Sequence, residues 1–394
     1  MTTIEIPVRS AFGLDNLPYG VFELPGAAPR VGIRVGDSVL DLAMLLDDET
    51  FAAPALNTFM AQGRARWTQV REQVSALVAA GAVPVAAVHP VADVALRLPF
   101  EVSDYVDFYA SEHHAANLGR LFRPDAPPLM PNWKYLPVGY HGRAGTVVVS
   151  GTPVVRPCGQ RKGPGDPVPV YGPCRELDIE AEVGFVVGAG STAGLPVSPD
   201  AIDDHVFGLV LVNDWSARDI QRWETVPLGP FLAKSFATSV SPWVVPLDAL
   251  AHARVAPPAQ DPPPLPYLRA REPWGLDLAI EVECNGDVVA RPPFAGMYWT
   301  PGQQLAHMTV NGASLRTGDL FASGTVSGPE RGQRGCFLEL SWGGTEPVTL
   351  SDGSSRTFLQ DGDTVTIRAS APGADGTRIG FGDVTGTIKP AVAA

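Results

Sequence analysis

Leu177-Asp-Ile-Glu180-Ala-Glu182-Val-Gly-Phe185 alternates strictly: Leu177, Ile179, Ala181, Val183 and Phe185 fall on one face of an extended chain, and Glu180 and Glu182 project together from the other. A period of two predicts a β-strand. The acidic face is either solvated, as on many sheets, or buried and functional. If it is buried, two unit charges about 4 Å apart repel by about 4 kcal/mol at an effective dielectric of about 20, and a divalent cation relieves that repulsion.

Downstream, Val206-Phe-Gly-Leu-Val-Leu-Val is a continuous apolar run, which predicts a strand buried on both faces. Asn213-Asp214-Trp215 follows directly, and Ser216 reads as the cap of a helix carrying Arg218 and Gln221. A carboxylate such as Asp214 at the end of a buried strand is common site geometry, and equally an ordinary strand-to-helix turn. Upstream, Ser111 caps a predicted helix through Ala115, Leu118 and Phe122, placing His114 in its first turn. An isolated histidine there is often a core residue with a backbone partner. The positive end of the helix, however, favours the neutral imidazole that a general base needs. Asp107 lies seven residues earlier, at a predicted strand end. Near the C-terminus, Leu338 and Leu340 share one face of a predicted strand and leave Glu339 opposite them.

Composition narrows the function classes. The 394 residues exceed one ordinary core, so two domains are expected. Forty-one Gly and 39 Pro favour a turn-rich, strand-rich fold over a helical bundle. A net charge of −13 argues against nucleic-acid and membrane-surface roles, because phosphate backbones and anionic headgroups are repelled. The four cysteines lie far apart without zinc-like or redox-like spacing and read as reduced thiols of a cytoplasmic protein. The N-terminus shows no secretory pattern, and the longest apolar run is far short of a membrane span.

Residues 1–97 read as a small domain, with a hairpin at Gly36-Asp37 and one helix presenting Trp67, Val70, Val74, Leu77 and Val78 on one face. Residues 98–394 read as a larger domain of strand after strand, so the fold class is mainly β (α+β). Asp107, Glu180, Glu182 and Asp214 together offer enough oxygen ligands for a hard cation, calcium or magnesium rather than zinc.

Longer motifs carry a resemblance. Leu129-Met-Pro-Asn-Trp133, Leu136-Pro-Val-Gly-Tyr-His-Gly-Arg143, Asn213-Asp-Trp-Ser-Ala-Arg-Asp-Ile-Gln221, Pro227-Leu-Gly-Pro-Phe231 and Lys234-Ser-Phe236 resemble the fumarylacetoacetase family, from Asn16-Leu-Pro-Tyr-Gly-Val-Phe22 to Arg378-Ile-Gly-Phe-Gly382. The resemblance implies an N-terminal SH3-like barrel, a C-terminal β-roll domain, a homodimer, and hydrolysis of the dicarbonyl acid 4-fumarylacetoacetate to fumarate and acetoacetate, the last step of tyrosine and phenylalanine catabolism. It implies calcium on Asp107, Glu180, Glu182 and Asp214, and a second cation, magnesium, near Asp214, Lys234 and Thr238. His114 becomes the base and Glu339 its orienting acid, with the seven-residue spacing from Asp107 selecting His114 over His113. Tyr109, Arg123, Tyr140, Gln221 and Thr325 contact substrate, while Arg218, Gln221 and Lys234 surround the reacting oxygens. One departure stands out: Thr225 occupies the place of a family tyrosine that touches substrate.

Carbon–carbon hydrolysis needs an activated water, a receiver for the oxyanion and a stabilised carbanion. His114, the cations Arg218 and Lys234, and the metal answer these needs in turn. Arg123 and the metal also explain how so acidic a chain holds an anion. Two rival readings remain: a same-fold acylpyruvate hydrolase, oxaloacetate decarboxylase or dienoate hydratase, and a non-catalytic protein with a structural calcium.

Overall fold

The Val206–Val212 run lies at the centre of a computed structural model that describes residues 1–163 and 165–392. In chain order, the elements that position the site are β1 (Tyr19–Glu23), β2 (Arg30–Val35), β3 (Ser38–Asp41), α1 (Arg64–Ala79), β4 (Tyr105–Phe108), α2 (Glu112–Phe122), β5 (Gly139–His141), β6 (Ala181–Val187), β7 (Val206–Asp214), α3 (Arg218–Glu224), β8 (Thr238–Val240), β9 (Trp243–Pro246), β10 (Ala279–Cys284), β11 (Leu320–Ala322), α4 (Phe337–Leu340), β12 (Thr364–Pro372) and β13 (Val384–Lys389). A 13-stranded sheet runs β3–β2–β1–β9–β7–β6–β11–β4–β5, with β8 branching from β7. Its pairs are antiparallel except β11–β4 and the pairing of β8 with Val147–Val149. A second, six-stranded sheet is built around β10, β12 and β13.

All nine residues of β7 are buried. The reason is visible in its two faces: Leu209 and Leu211 join one core with Ile280, Val282, Val365 and Ile367, whereas Phe207, Val210 and Val212 join another with Trp67, Val70 and Val74. A strand between two cores has no polar face, so its sequence is apolar from Val206 to Val212. Each fully buried Val or Leu there contributes roughly 1.5–3 kcal/mol.

The N-terminal hairpin turns at Gly36-Asp37 with Val35 opposite Ser38, and Gly36 takes the positive φ of 57° that the turn requires. Helix α1 buries Trp67, Val70, Val74 and Val78, and Leu77 is half-buried beside them. This arm is continuous with the rest of the sheet, because β1 pairs β9 with Tyr19 opposite Val244. No strand pairing among the described residues closes it into a barrel: Val88–Pro90 pairs β3, and Ala95–Arg97 pairs β1.

Three local expectations are corrected. The strand expected over Leu177–Phe185 is interrupted; Leu177–Asp178 pairs with Ser216–Ala217, and β6 begins only at Ala181. That pairing also delays the helix expected from Ser216. Its hydroxyl donates to the Asp214 carbonyl instead of capping, and α3 starts at Arg218. Glu339 lies on a helical turn, α4, rather than on a strand, because the backbone N–H groups of Phe337 and Leu338 turn inward to the Asp178 carboxylate. All four cysteines are free thiols. Among the described residues no helix is long and apolar enough to cross a membrane.

Candidate active site

Strands β7, β6, β11 and β4 lie side by side, and their register gathers the acidic residues. Asp107 on β4 opposes Tyr140 on β5, Asp214 at the end of β7 opposes Thr238 on β8, and Glu182 sits on β6. Glu180 enters from the link before β6. One oxygen from each of Asp107, Glu180, Glu182 and Asp214 lies within 4.8 Å of the others. All four are buried, so the solvated reading of Glu180 and Glu182 is excluded.

This cluster has the chemistry of a cation site. Neither oxygen of Glu182, nor Oδ1 of Asp107, meets a hydrogen-bond partner among the described residues. Burial, reinforced by Asp214 for Asp107 and by Asp107 for Glu182, pushes both carboxyls well above the usual carboxylate range. Asp107, Asp178, Glu180, Glu182, Asp214 and Glu339 are all buried around only two permanent cations, Arg218 and Lys234. Either protons or a divalent ion must supply the missing positive charge, and an all-oxygen donor set suits calcium or magnesium.

Lys234 Nζ bonds Glu180 and also Asp214 Oδ2, the latter at 2.8 Å. Burial alone would lower its pKa, but Asp214 and Glu180 outweigh burial and keep the ammonium protonated. A protonated side chain has no lone pair for a metal, so at the expected second cation the Lys234 side chain balances charge rather than ligating. Thr238 and Tyr140 donate to Asp214 at 3.2 and 3.0 Å. Burial would raise Glu180, but Lys234, Arg218 and His114 hold it below the usual range. Arg218 Nη1 contacts Glu180 at 2.7 Å and Gln221 Oε1 at 3.1 Å, and Nε donates to Asp178 at 2.9 Å. Its Nη2 finds no partner among the described residues, and neither does the buried Thr325 hydroxyl.

His114 sits where the sequence placed it, in the first turn of α2, with its backbone N–H donating to the Ser111 cap at 3.3 Å. It is 2 % exposed, whereas His113 faces solvent. Nδ1 contacts Glu339 Oε2 at 2.6 Å, and that carboxylate also accepts from Asn117 Nδ2 at 2.8 Å and Ser327 Oγ at 2.7 Å. Burial would raise Glu339, but His114 and these donors bring it down to about 2, so it is ionised. The network therefore assigns the proton of a neutral His114 to Nδ1 and leaves Nε2 as an acceptor, 4.0 Å from Glu180 Oε1. Cys336 Sγ lies 3.2 Å from Glu339 Oε2, and burial pushes its thiol well above the usual range.

The remaining expected residues divide. Tyr109 packs edge-on to His114 with ring centroids 5.3 Å apart. A cavity of about 290 Å³ opens beside Asp214, Lys234, Thr238 and Tyr140, lined also by Tyr105 and Phe231. A larger cavity, about 950 Å³, lies elsewhere and includes none of these catalytic or metal candidates. Arg123 is exposed at the end of α2 and donates to the Pro128 carbonyl at 3.3 Å. Thr225 ends α3, its hydroxyl donating to the Gln221 carbonyl at 2.6 Å instead of reaching into the site. Sequence reasoning passed over Asp178, Asn117 and Ser327. Asp178 and Asn117 had signals, since Asp178 alternates with Glu180 and Glu182, and Asn117 is one helical turn from His114; Ser327 had none.

Comparison with known proteins agrees with this geometry. Residues 104–389 match the family model described as fumarylacetoacetate (FAA) hydrolase C-terminal, and residues 15–99 match the one described as fumarylacetoacetase N-terminal. The fumarylacetoacetase of Homo sapiens is 47 % identical over 417 residues, covering 100 % of this chain and 99 % of that protein. The fumarylacetoacetase of Arabidopsis thaliana is 44 % identical, covering 98 % of each. Among solved structures, a fumarylacetoacetate hydrolase from Exiguobacterium antarcticum matches with a TM-score of 0.58 at 17 % identity, covering 95 % of this chain and 99 % of that one. A maleylpyruvate hydrolase from Sphingobium sp. SYK-6 matches with a TM-score of 0.54 at 18 % identity, covering 95 % and 100 %. At such identities the two structures speak for the fold alone. With both halves of its length matched by family models and full-length relatives sharing 44–47 % of its residues, the chain belongs to the fumarylacetoacetase family.

Proposed function

We propose that this protein hydrolyses 4-fumarylacetoacetate to fumarate and acetoacetate, the closing step of tyrosine and phenylalanine breakdown. The observation that carries the reading is a buried His114–Glu339 pair whose free imidazole nitrogen faces a cluster of four carboxylates.

Each chemical need has a residue. Water is a poor nucleophile; His114 Nε2 takes its proton as the oxygen attacks the ketone, and Glu339 stabilises the imidazolium. The new oxyanion is received by the unpartnered Nη2 of Arg218 and by Lys234. The bond between the former ketone carbon and the acetoacetate methylene then breaks, its electron pair leaving with the acetoacetate fragment. The proton held by His114 passes to that carbon. Asp107, Glu180, Glu182 and Asp214 would hold a divalent ion, which when bound would supply positive charge to stabilise the carbanionic leaving group. Tyr109, Tyr140, Gln221 and Thr325 orient the substrate, and Arg123 meets its carboxylate from the rim.

Calcium at the four carboxylates and magnesium near Asp214 and Thr238 are the metals proposed. A homodimer and a cytoplasmic location complete the reading, supported by the exposed apolar Val226, Leu228 and Phe231 and by four free thiols. The test is a product assay with 4-fumarylacetoacetate, an acylpyruvate and oxaloacetate. Fumarate and acetoacetate should appear, stop on chelation and resume with calcium or magnesium. Turnover of only the other two substrates, or turnover indifferent to chelation, would overturn the proposal.

A further inference from the structure

Asp178 is a buried carboxylate to which the hydrolytic scheme gives no task. It is 0 % exposed, and both oxygens are fully engaged. Oδ1 accepts from the backbone N–H of Ile179 at 2.8 Å and of Phe337 at 2.7 Å. Oδ2 accepts from the Leu338 N–H at 2.9 Å and from Arg218 Nε at 2.9 Å. One carboxylate thus joins two parts of the site that are far apart in sequence. On one side is the guanidinium whose Nη2 has no partner among the described residues. On the other is the start of α4, the four-residue turn that holds Glu339 against His114.

We infer that Asp178 is a positioning residue that sets the Arg218 guanidinium and the Glu339–His114 pair in a fixed spatial relation. This rests on the roles given above to Arg218, His114 and Glu339. The chemistry requires a carboxylate. An amide of the same shape offers one oxygen and one NH2, and either orientation points the NH2 at two donors: Ile179 and Phe337, or Leu338 and Arg218. Buried donors left facing a donor must move, and the groups that move carry Glu339 and the oxyanion cation. Both act on charge that develops during reaction, so the loss falls on kcat and spares KM.

The test compares the metal-loaded full-length wild type with Asp178→Asn and with Asp178→Glu, which keeps the charge but displaces it by one methylene. Two readouts are taken: steady-state kinetics with 4-fumarylacetoacetate, and the downfield proton resonance of His114 Nδ1–H, assigned by its loss in His114→Ala. We expect kcat to fall by about 100-fold or more, in line with losing one preorganised oxyanion donor, while KM stays within about threefold. The resonance should shift or vanish in both variants. Combining Asp178→Asn with Glu339→Gln should cost less than the product of the two single losses, since the two act partly through one pair. Should Asp178→Asn not fold, Asp178→Glu carries the same reading. An unchanged resonance with kcat within about threefold of wild type overturns the inference. Absence of wild-type turnover, with the resonance still moved by the variants, counts against the substrate and leaves the positioning role standing.

Discussion

Replacing Glu339 by Gln removes a charge from the site while keeping most of its geometry. The amide oxygen can stand where Oε2 accepts from His114 Nδ1 and Ser327, with the NH2 at the Oε1 place. Asn117, which donates to Oε1, can turn its amide over, giving up its bond from Arg120. His114 then keeps its tautomer but loses the anion that stabilises its protonated form. With charge centres about 4 Å apart and an effective dielectric of about 20, that anion contributes about 4 kcal/mol. At about 1.4 kcal/mol per tenfold, kcat should fall by about 10³. KM should barely move, because the imidazolium exists only after water has been deprotonated. Steady-state hydrolysis of 4-fumarylacetoacetate by the metal-loaded variant, checked for folding by thermal melting, measures both. A folded variant with kcat within about tenfold of wild type would refute the base–carboxylate pairing.

Other outcomes follow from the same charges. Glu339 has a folded pKa of about 2 against an ordinary 4.5, so it contributes stability above pH 4.5 that is lost as pH falls towards 2. In urea titrations the stability difference between wild type and Glu339→Gln should therefore shrink across that window, by about 3 kcal/mol at about 1.4 kcal/mol per unit. Glu182 has the opposite sign: its raised pKa favours the folded metal-free protein at low pH, and that advantage is lost as pH rises above 4.5 through the folded value. Metal-free Glu182→Gln should accordingly melt higher than metal-free wild type at neutral pH, yet gain less from added calcium, as paired melting curves would show. Metal binding should release protons from Asp107 and Glu182, which calorimetry in buffers of different ionisation enthalpy detects. Gly324→Ala should destabilise the fold and displace Thr325, since Gly324 has a φ of +75° and an added Cβ would run into the Phe108 carbonyl; thermal melting and substrate KM report the two effects.

Local patterns carried the sequence reading furthest where neighbouring residues determine the outcome. Ser111 caps one helix, and that helix turns His114 inward and leaves His113 to solvent, so the buried histidine was legible. The Val206–Val212 run announced a strand buried on both faces, and Asp214 came with it. Long-range packing hid the rest. Leu338-Glu339-Leu340 has a strand's alternation, but Asp178, distant in sequence, bonds Phe337 and Leu338 and winds them into a turn. Ser216 has the chemistry of a cap, yet its backbone pairs with Asp178 and the helix waits for Arg218. Alternation correctly put Glu180 and Glu182 on one side of the chain, but their burial follows from residues distant in sequence, Asp107, Asp214, Arg218 and Lys234, gathering on that side. The meeting of Asp107 with Asp214 is likewise a property of strand order rather than of any segment.

Diffraction from crystals soaked in manganese, recorded at the manganese absorption edge, tests the placement of the ion most directly. An anomalous peak should lie among the carboxylate oxygens of Asp107, Glu180, Glu182 and Asp214, on the side of His114 that bears Nε2, and should disappear in Glu182→Gln. A peak bound away from these four residues, or one undiminished by that substitution, would contradict the account.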